Sequence, residues 1–145
     1  MRSGCVYLAR MFVHETRVRV RYAETDQMGQ MYYGRYAELF EVGRVEALRA
    51  LGFPYRRIEE RGILLPVRDL SVRYLMPVRY DDEVIIRTTI MEPLSARIRF
   101  RYELLSESGE RLTEAETTLV FVDAMSKRPC RAPADLIAAL APFFP

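Results

Sequence analysis

The sequence contains no tryptophan and no asparagine, one histidine (His14), one lysine (Lys127) and two cysteines, Cys5 and Cys130. Each scarcity closes a route. One histidine cannot supply a metal site built on several imidazoles, and a Ser-His-Asp or Cys-His triad would have to use His14. The two cysteines lie far apart and in no Cys-x-x-Cys or Cys/His cluster. Two free thiols in a reducing cytoplasm are therefore expected, rather than a disulfide framework or a zinc site. No apolar run reaches the roughly 18 residues of a membrane helix. The stretch Met1 to Arg10 is too short and too weakly apolar for a signal peptide. There is no GxSxG nucleophile elbow, no Walker A sequence and no GxGxxG. Carboxylate chemistry is what remains.

What is present describes one folded domain. Half of the 145 residues are hydrophobic and 29% are charged, with both signs mixed along the chain. A core can form without metals or disulfides, and disorder is not expected. The formal net charge of +2 is too small to announce nucleic acid. Nearly all the cations are arginine, and Gln27 and Gln30 are the only side-chain amides. That composition fits a heat-adapted source or a genome of biased base composition equally well. Residues 1 to about 11 precede any patterned sequence and are expected to be a flexible extension, with the domain covering 12–145.

Arg17-Val18-Arg19-Val20-Arg21-Tyr22 alternates strictly and predicts a strand with one wet face. Ala23 to Gly29 has turn chemistry. From about Gly34 to Leu51 the period becomes helical, with Tyr36, Leu39, Phe40, Gly43, Ala47, Leu48 and Leu51 on one stripe. Gly43 in mid-helix costs about 1 kcal/mol relative to alanine, a cost that a close approach to a sheet would offset. Gly52 reads as a C-cap, followed by Pro54. A short helix is expected from about Pro54 to Glu60. Strands follow within Leu64–Tyr80 (broken by Pro66 and Pro77), Glu83–Glu92, Ala96–Ser106 and Arg111–Val122. Ser106 to Glu110 is a hairpin turn. Pro133 to Leu140 closes the chain as a last helix. The order is α+β, and one apolar helix laid on a curved antiparallel sheet is the simplest architecture.

The arginines at 17, 19, 21 and at 97, 99, 101 predict a solvated sheet face. No aromatic residues are interleaved on that face for stacking on a single strand. Some of these arginines could instead meet phosphates. Lys127-Arg128-Pro129-Cys130-Arg131 is expected to be exposed and mobile.

The most specific stretch is Tyr22-Ala23-Glu24-Thr25-Asp26-Gln27-Met28-Gly29-Gln30-Met31-Tyr32-Tyr33-Gly34-Arg35-Tyr36-Ala37-Glu38-Leu39-Phe40-Glu41. It continues into Arg44-Val45-Glu46-Ala47-Leu48-Arg49-Ala50-Leu51-Gly52. This run resembles the signature of the 4-hydroxybenzoyl-CoA thioesterase family, which includes the acyl-CoA thioesterases of the Tol-Pal type. The resemblance extends through about Val122. It implies a hotdog fold, in which the sheet wraps the long helix, and a homodimer or homotetramer with shared sites. It implies an acyl-CoA or acyl carrier protein thioester as substrate, with coenzyme A part of that substrate and no separate cofactor or metal.

The family's catalytic aspartate falls on Asp26, and its carbonyl-polarising backbone N–H falls near Tyr33. A free N–H at a helix start carries part of the helix dipole and would stabilise charge developing on a thioester oxygen. A carboxylate beside it can attack the carbonyl carbon or deprotonate a water, and the sequence leaves both open. Glu41 is a candidate second carboxylate, against a solvated helix face or an ion pair with Arg44. Gly29, Tyr32 and Arg35 are candidate substrate contacts, whereas Tyr36 reads as a core or interface aromatic. The chain departs from many members in carrying Tyr33 in place of His and Arg35 in place of Asn. An asparagine side chain could orient water or substrate, whereas Arg35 cannot accept a hydrogen bond. Two other readings compete: a non-catalytic thioester-binding module of the same fold, and a hotdog dehydratase, which would want a histidine in its site.

Overall fold

The computed structural model describes residues 11–145, so the expected extension lies outside the described residues except for Met11. The chain opens on β1 (Phe12–Arg19), where Phe12, His14, Thr16 and Val18 turn inward and their neighbours face solvent. The strand thus lies earlier than its cleanest alternation suggested. Inward-facing His14 and Thr16 hide its first half in a hydrophobicity pattern. Arg21 and Tyr22 leave it, and Tyr22 begins a 3-10 turn over Tyr22–Glu24.

A second 3-10 turn, Tyr33–Arg35, runs directly into α1 (Tyr36–Ala50). The expected stripe is the buried one: Tyr36, Leu39, Phe40, Gly43, Ala47 and Leu48. Gly52 ends the helix at φ +92, where a side chain would be strained. Pro54 then leads into α2 (Tyr55–Glu60).

The remaining chain is β2 (Ile63–Leu64), β3 (Val67–Tyr74), β4 (Glu83–Ile90), β5 (Arg97–Leu105), β6 (Arg111–Val120), β7 (Val122–Asp123) and α3 (Ala134–Leu140). Pro66 separates β2 from β3, and the segment between β3 and β4 is a connection. Prolines break ladders because they lack the donor. Five strands form one antiparallel sheet in the order β1-β4-β5-β6-β3, while β2 pairs with β7.

Helix α1 lies across β1, β4 and β5. Its stripe meets Val84, Ile86, Ile90, Ile98, Phe100, Tyr102, Leu104 and Leu119 in one core. Phe40 stacks on Tyr102 with ring centroids 4.9 Å apart. Each such side chain contributes about 1.5–3 kcal/mol when buried. Gly43 lets the backbone of α1 lie directly on Ile86 and Thr88 of β4.

The outer face of the sheet carries the arginines, and most of them meet carboxylates. Arg17 and Arg19 pair with Glu83, Arg87 with Glu15, Arg99 with Glu92 and Glu116, and Arg111 with Glu103 and Glu114. Exposed pairs of this kind are worth roughly 0–1 kcal/mol each. Their consequence here is charge balance across a solvated face. The segment Lys127–Arg131 is exposed except for Cys130, which packs against the core, and its backbone is fastened: Asp123 N–H donates to the Arg128 carbonyl and Cys130 N–H to the Phe121 carbonyl, at 2.9 and 2.8 Å. Among the described residues no helix is long and apolar enough to cross a membrane.

Candidate active site

The loop between β1 and α1 is a small hairpin of its own. Thr25 and Met31 form an antiparallel bridge, as do Gln30 and Arg79. Asp26 N–H donates to the Gln30 carbonyl at 2.8 Å, and Gly29 N–H to the Asp26 carbonyl at 3.0 Å. Gly29 sits at φ +75, a conformation that glycine adopts without strain. Met31 N–H then ties the loop to the Val78 carbonyl, and Tyr32 N–H to the Glu24 carbonyl.

Within this hairpin the Asp26 side chain closes an Asx turn. Its Oδ1 accepts the Met28 N–H at 2.8 Å and the Gln30 N–H at 3.3 Å. The turn role that a lone aspartate in such a sequence would have is therefore real. It occupies one oxygen. Oδ2 has no hydrogen-bond partner among the described residues, so one fixed and one free oxygen coexist on the same carboxylate.

Asp26 and Tyr33 line one cavity of about 400 Å³, with Met28, Gln30, Met31, Tyr36, Tyr74, Leu75, Met76 and Pro77. Tyr33 is the first residue of the 3-10 turn that feeds α1. Among the described residues its N–H donates to no backbone carbonyl, as the first N–H groups of a helical segment must. The two residues singled out in the sequence thus line one opening.

The other candidates are placed differently. Gly29, Tyr32 and Arg35 stand around the loop but do not line this cavity. Gly29 has a backbone reason for being glycine. Tyr32 packs its ring against Tyr33 at 4.6 Å, and the neighbouring Tyr33 hydroxyl pushes the Tyr32 phenol up from its ordinary range. Arg35 is engaged with Glu38 at 2.8 Å. Glu41 is exposed and lines a separate, more apolar cavity of about 340 Å³ with Ala37, Phe40, Arg44, Val67 and Leu70. Of its two alternatives to a catalytic role, the ion pair with Arg44 does not form, whereas the solvated helix face fits its exposure. Arg44 is instead only 8% exposed and its Nε donates to the Tyr55 hydroxyl at 3.3 Å. Burial works against that charge, but the Tyr102 and Tyr55 hydroxyls outweigh it and hold the guanidinium above its usual value. His14 lies on β1 and lines neither cavity.

Sequence reasoning missed the far wall. Tyr36, read as a packing aromatic, is buried and also lines the Asp26 cavity. Tyr74 meets Tyr36 edge-on at 4.8 Å, and its hydroxyl donates to the Tyr33 carbonyl at 3.4 Å. Burial, then the neighbouring Tyr74, pushes the Tyr36 phenol up, so it stays protonated near neutral pH. Tyr74, Leu75 and Met76 lie at and after the end of β3, and only the pairing of β3 with β6 sets that position.

Comparison with known proteins places the fold. Residues 20–140 match the model of the thioesterase-like superfamily. The chain is 34% identical over 119 residues to the putative acyl-CoA thioesterase YneP of Bacillus subtilis, covering 82% of this chain and 86% of that protein. It is 31% identical over 121 residues to the acyl-CoA thioester hydrolase YbgC of Escherichia coli, covering 83% and 90%. The solved DHNA-CoA thioesterase of Staphylococcus aureus is 34% identical and superposes with a TM-score of 0.85, over 90% of this chain and 89% of that one. With its long helix on a curved antiparallel sheet, the chain belongs to the thioesterase-like superfamily and has the hotdog fold.

Proposed function

We propose that this protein hydrolyses acyl-CoA thioesters, with Asp26 as its reacting carboxylate and the Tyr33 N–H as the group that polarises the carbonyl. The observation that carries the reading is the cavity shared by the free oxygen's carboxylate and the start of the helix. The relatives described as acyl-CoA thioesterases support the substrate class.

A thioester oxygen resting on the Tyr33 N–H would gain a hydrogen bond that strengthens as negative charge builds there. Two routes then lead to the same products. In the first, an Asp26 oxygen attacks the carbonyl carbon, the C–S bond breaks, coenzyme A leaves as thiolate, and water hydrolyses the resulting anhydride. In the second, Asp26 takes a proton from water while the water oxygen attacks, and the C–S bond breaks in turn. Either way one water is consumed, and a free acid and coenzyme A are released. A dehydratase is disfavoured because His14 stands on β1, away from the cavity. The proposed setting is the cytoplasm, in keeping with the free thiol of Cys130.

The test is a panel of acyl-CoA and acyl carrier protein esters assayed for thiol release. Turnover of at least one ester is expected. Binding of esters without turnover would make the chain a thioester-binding module instead.

Assembly is part of the proposal. Among the described residues strand β3 is hydrogen-bonded on one side only, by β6, and exposes Val67, Leu70 and Tyr74 to 45–49%. An unpaired edge with apolar side chains is a template for another chain. Light scattering at micromolar concentration should give two or four times the 17.0 kDa chain mass, with four favoured. A stable 17.0 kDa species would end the shared-site reading. Assembly also decides Glu41, which shares no cavity with Asp26 within one chain and is proposed to join the site from a second one.

A further inference from the structure

Glu24 has the lowest exposure of any carboxylate among the described residues, at 5%, and it stands two residues before Asp26. The proposed chemistry does not use it. Burying a carboxylate is costly unless its oxygens are hydrogen-bonded, so its surroundings are informative. Its Oε1 accepts the Arg21 backbone N–H at 2.8 Å and the Arg21 Nε–H at 3.3 Å. That closes the 3-10 turn Tyr22–Glu24 on itself, because Arg21 is the residue before the turn and Glu24 its last. The Glu24 carbonyl, in turn, accepts the Tyr32 N–H at 2.8 Å.

The consequence is geometric. Tyr32 is joined by a peptide bond to the Tyr33 N–H, and Glu24 is two residues from Asp26. A single buried residue therefore spans the two ends of the loop that carry the proposed reacting groups. On one side it is fixed by its side chain, and on the other it fixes Tyr32 by its carbonyl. We infer that Glu24 is a positioning residue, whose side chain locks the turn that sets the spacing between the Asp26 carboxylate and the Tyr33 N–H. This rests on the proposed thioesterase reading for its effect on turnover, but not for its effect on the loop.

The role needs an acceptor at Oε1 rather than a charge. A glutamine can accept the Arg21 N–H and would give up only the pair with a largely exposed guanidinium. An alanine removes the acceptor, and an aspartate is one methylene short of it. Misplacement of reacting groups by about 1 Å can cost roughly 100-fold in rate.

The experiment compares the full chain with Glu24→Ala, Glu24→Asp and Glu24→Gln. It reads kcat and KM on the best ester of the panel and amide exchange at Tyr32. Glu24→Ala should lose roughly 10–100-fold in kcat with KM within about threefold, and exchange at Tyr32 should accelerate at least about tenfold. Glu24→Gln should restore both readings to near the parent values. If Glu24→Ala does not fold, Glu24→Asp is judged by the same two readings. Parental kcat in the folded variant overturns the inference. So does a fall in kcat with unchanged exchange at Tyr32, or a Glu24→Gln as impaired as Glu24→Ala. If the parent hydrolyses no ester, the exchange readings still decide whether Glu24 locks the loop, and the thioesterase reading alone has failed.

Discussion

Asp26→Asn is expected to lower kcat for thioester hydrolysis by on the order of 10²–10⁴-fold, with much smaller change in KM. The structure makes this substitution unusually clean. Asparagine keeps a carbonyl oxygen that can accept the Met28 and Gln30 N–H groups now bound by Oδ1. The Asx turn therefore survives, and the loop with it. What changes is the second oxygen, which becomes an amide nitrogen that can neither attack a carbonyl nor take a proton. Stability should stay within about 1 kcal/mol of the parent, because no buried packing is altered. Thiol release and a thermal melt measured on the same preparation separate the two effects. Parental turnover in Asp26→Asn would remove Asp26 from the mechanism and make Glu41 the next residue to replace. Full activity in both variants would end carboxylate catalysis by this motif.

The half of the site that lies in one short segment is legible in the amino-acid sequence. Asp26 and Tyr33 belong to one continuous run, and the glycine at 29 and the helical period after 34 mark the loop and the helix start. The apolar stripe of α1 is legible for the same reason, since a 3.6-residue period is a local property. The opposite wall is not. Tyr74, Met76 and Pro77 reach Asp26 only because β3 pairs with β6 in a fixed register, and no local pattern encodes that pairing. Arg44 misleads for a related reason. On the helix it looks like a surface partner for Glu41, but the packing of α2 and β5 supplies Tyr55 and Tyr102 instead. Glu24 is visible inside the motif, yet nothing in the sequence distinguishes a buried acceptor from a solvated acid. The first strand begins earlier than its pattern suggests because a histidine and a threonine, His14 and Thr16, occupy inward positions of β1.

Gly43→Val is expected to be among the most destabilising single changes in the helix, by about 3 kcal/mol or more. A Cβ added at this glycine would stand 2.6 Å from Thr88 Oγ1 and 2.7 Å from Ile86 Cγ2. Neither neighbour can withdraw easily. Both are β-branched and stiff at χ1, and they sit on β4, which is hydrogen-bonded to β1 and β5 on its two sides. Gly43→Ala sets two effects against each other. Alanine gains about 1 kcal/mol of helix propensity, and overpacking costs about 1–3 kcal/mol, so a net loss of about 0–2 kcal/mol is expected. Valine loses most of the propensity gain and adds two methyl groups to the same crowded space. At roughly 2–4 °C per kcal/mol, Gly43→Val should melt at least about 6 °C below the parent. It should also lose activity, because lifting α1 from β4 moves Tyr33 and Tyr36 at the helix start relative to Tyr74. A double-mutant cycle identifies the cause. Thr88 Oγ1 is buried and has no hydrogen-bond partner among the described residues, so Thr88→Ala removes packing but no hydrogen bond. Combined with Gly43→Ala it opens the space the new methyl needs, and a favourable coupling of about 1 kcal/mol is expected. Additivity within about 0.5 kcal/mol would mean that the contact with Thr88 is not what excludes a side chain at position 43. A Gly43→Val protein as stable as the parent would mean that the helix does not lie as close to the sheet as this packing requires.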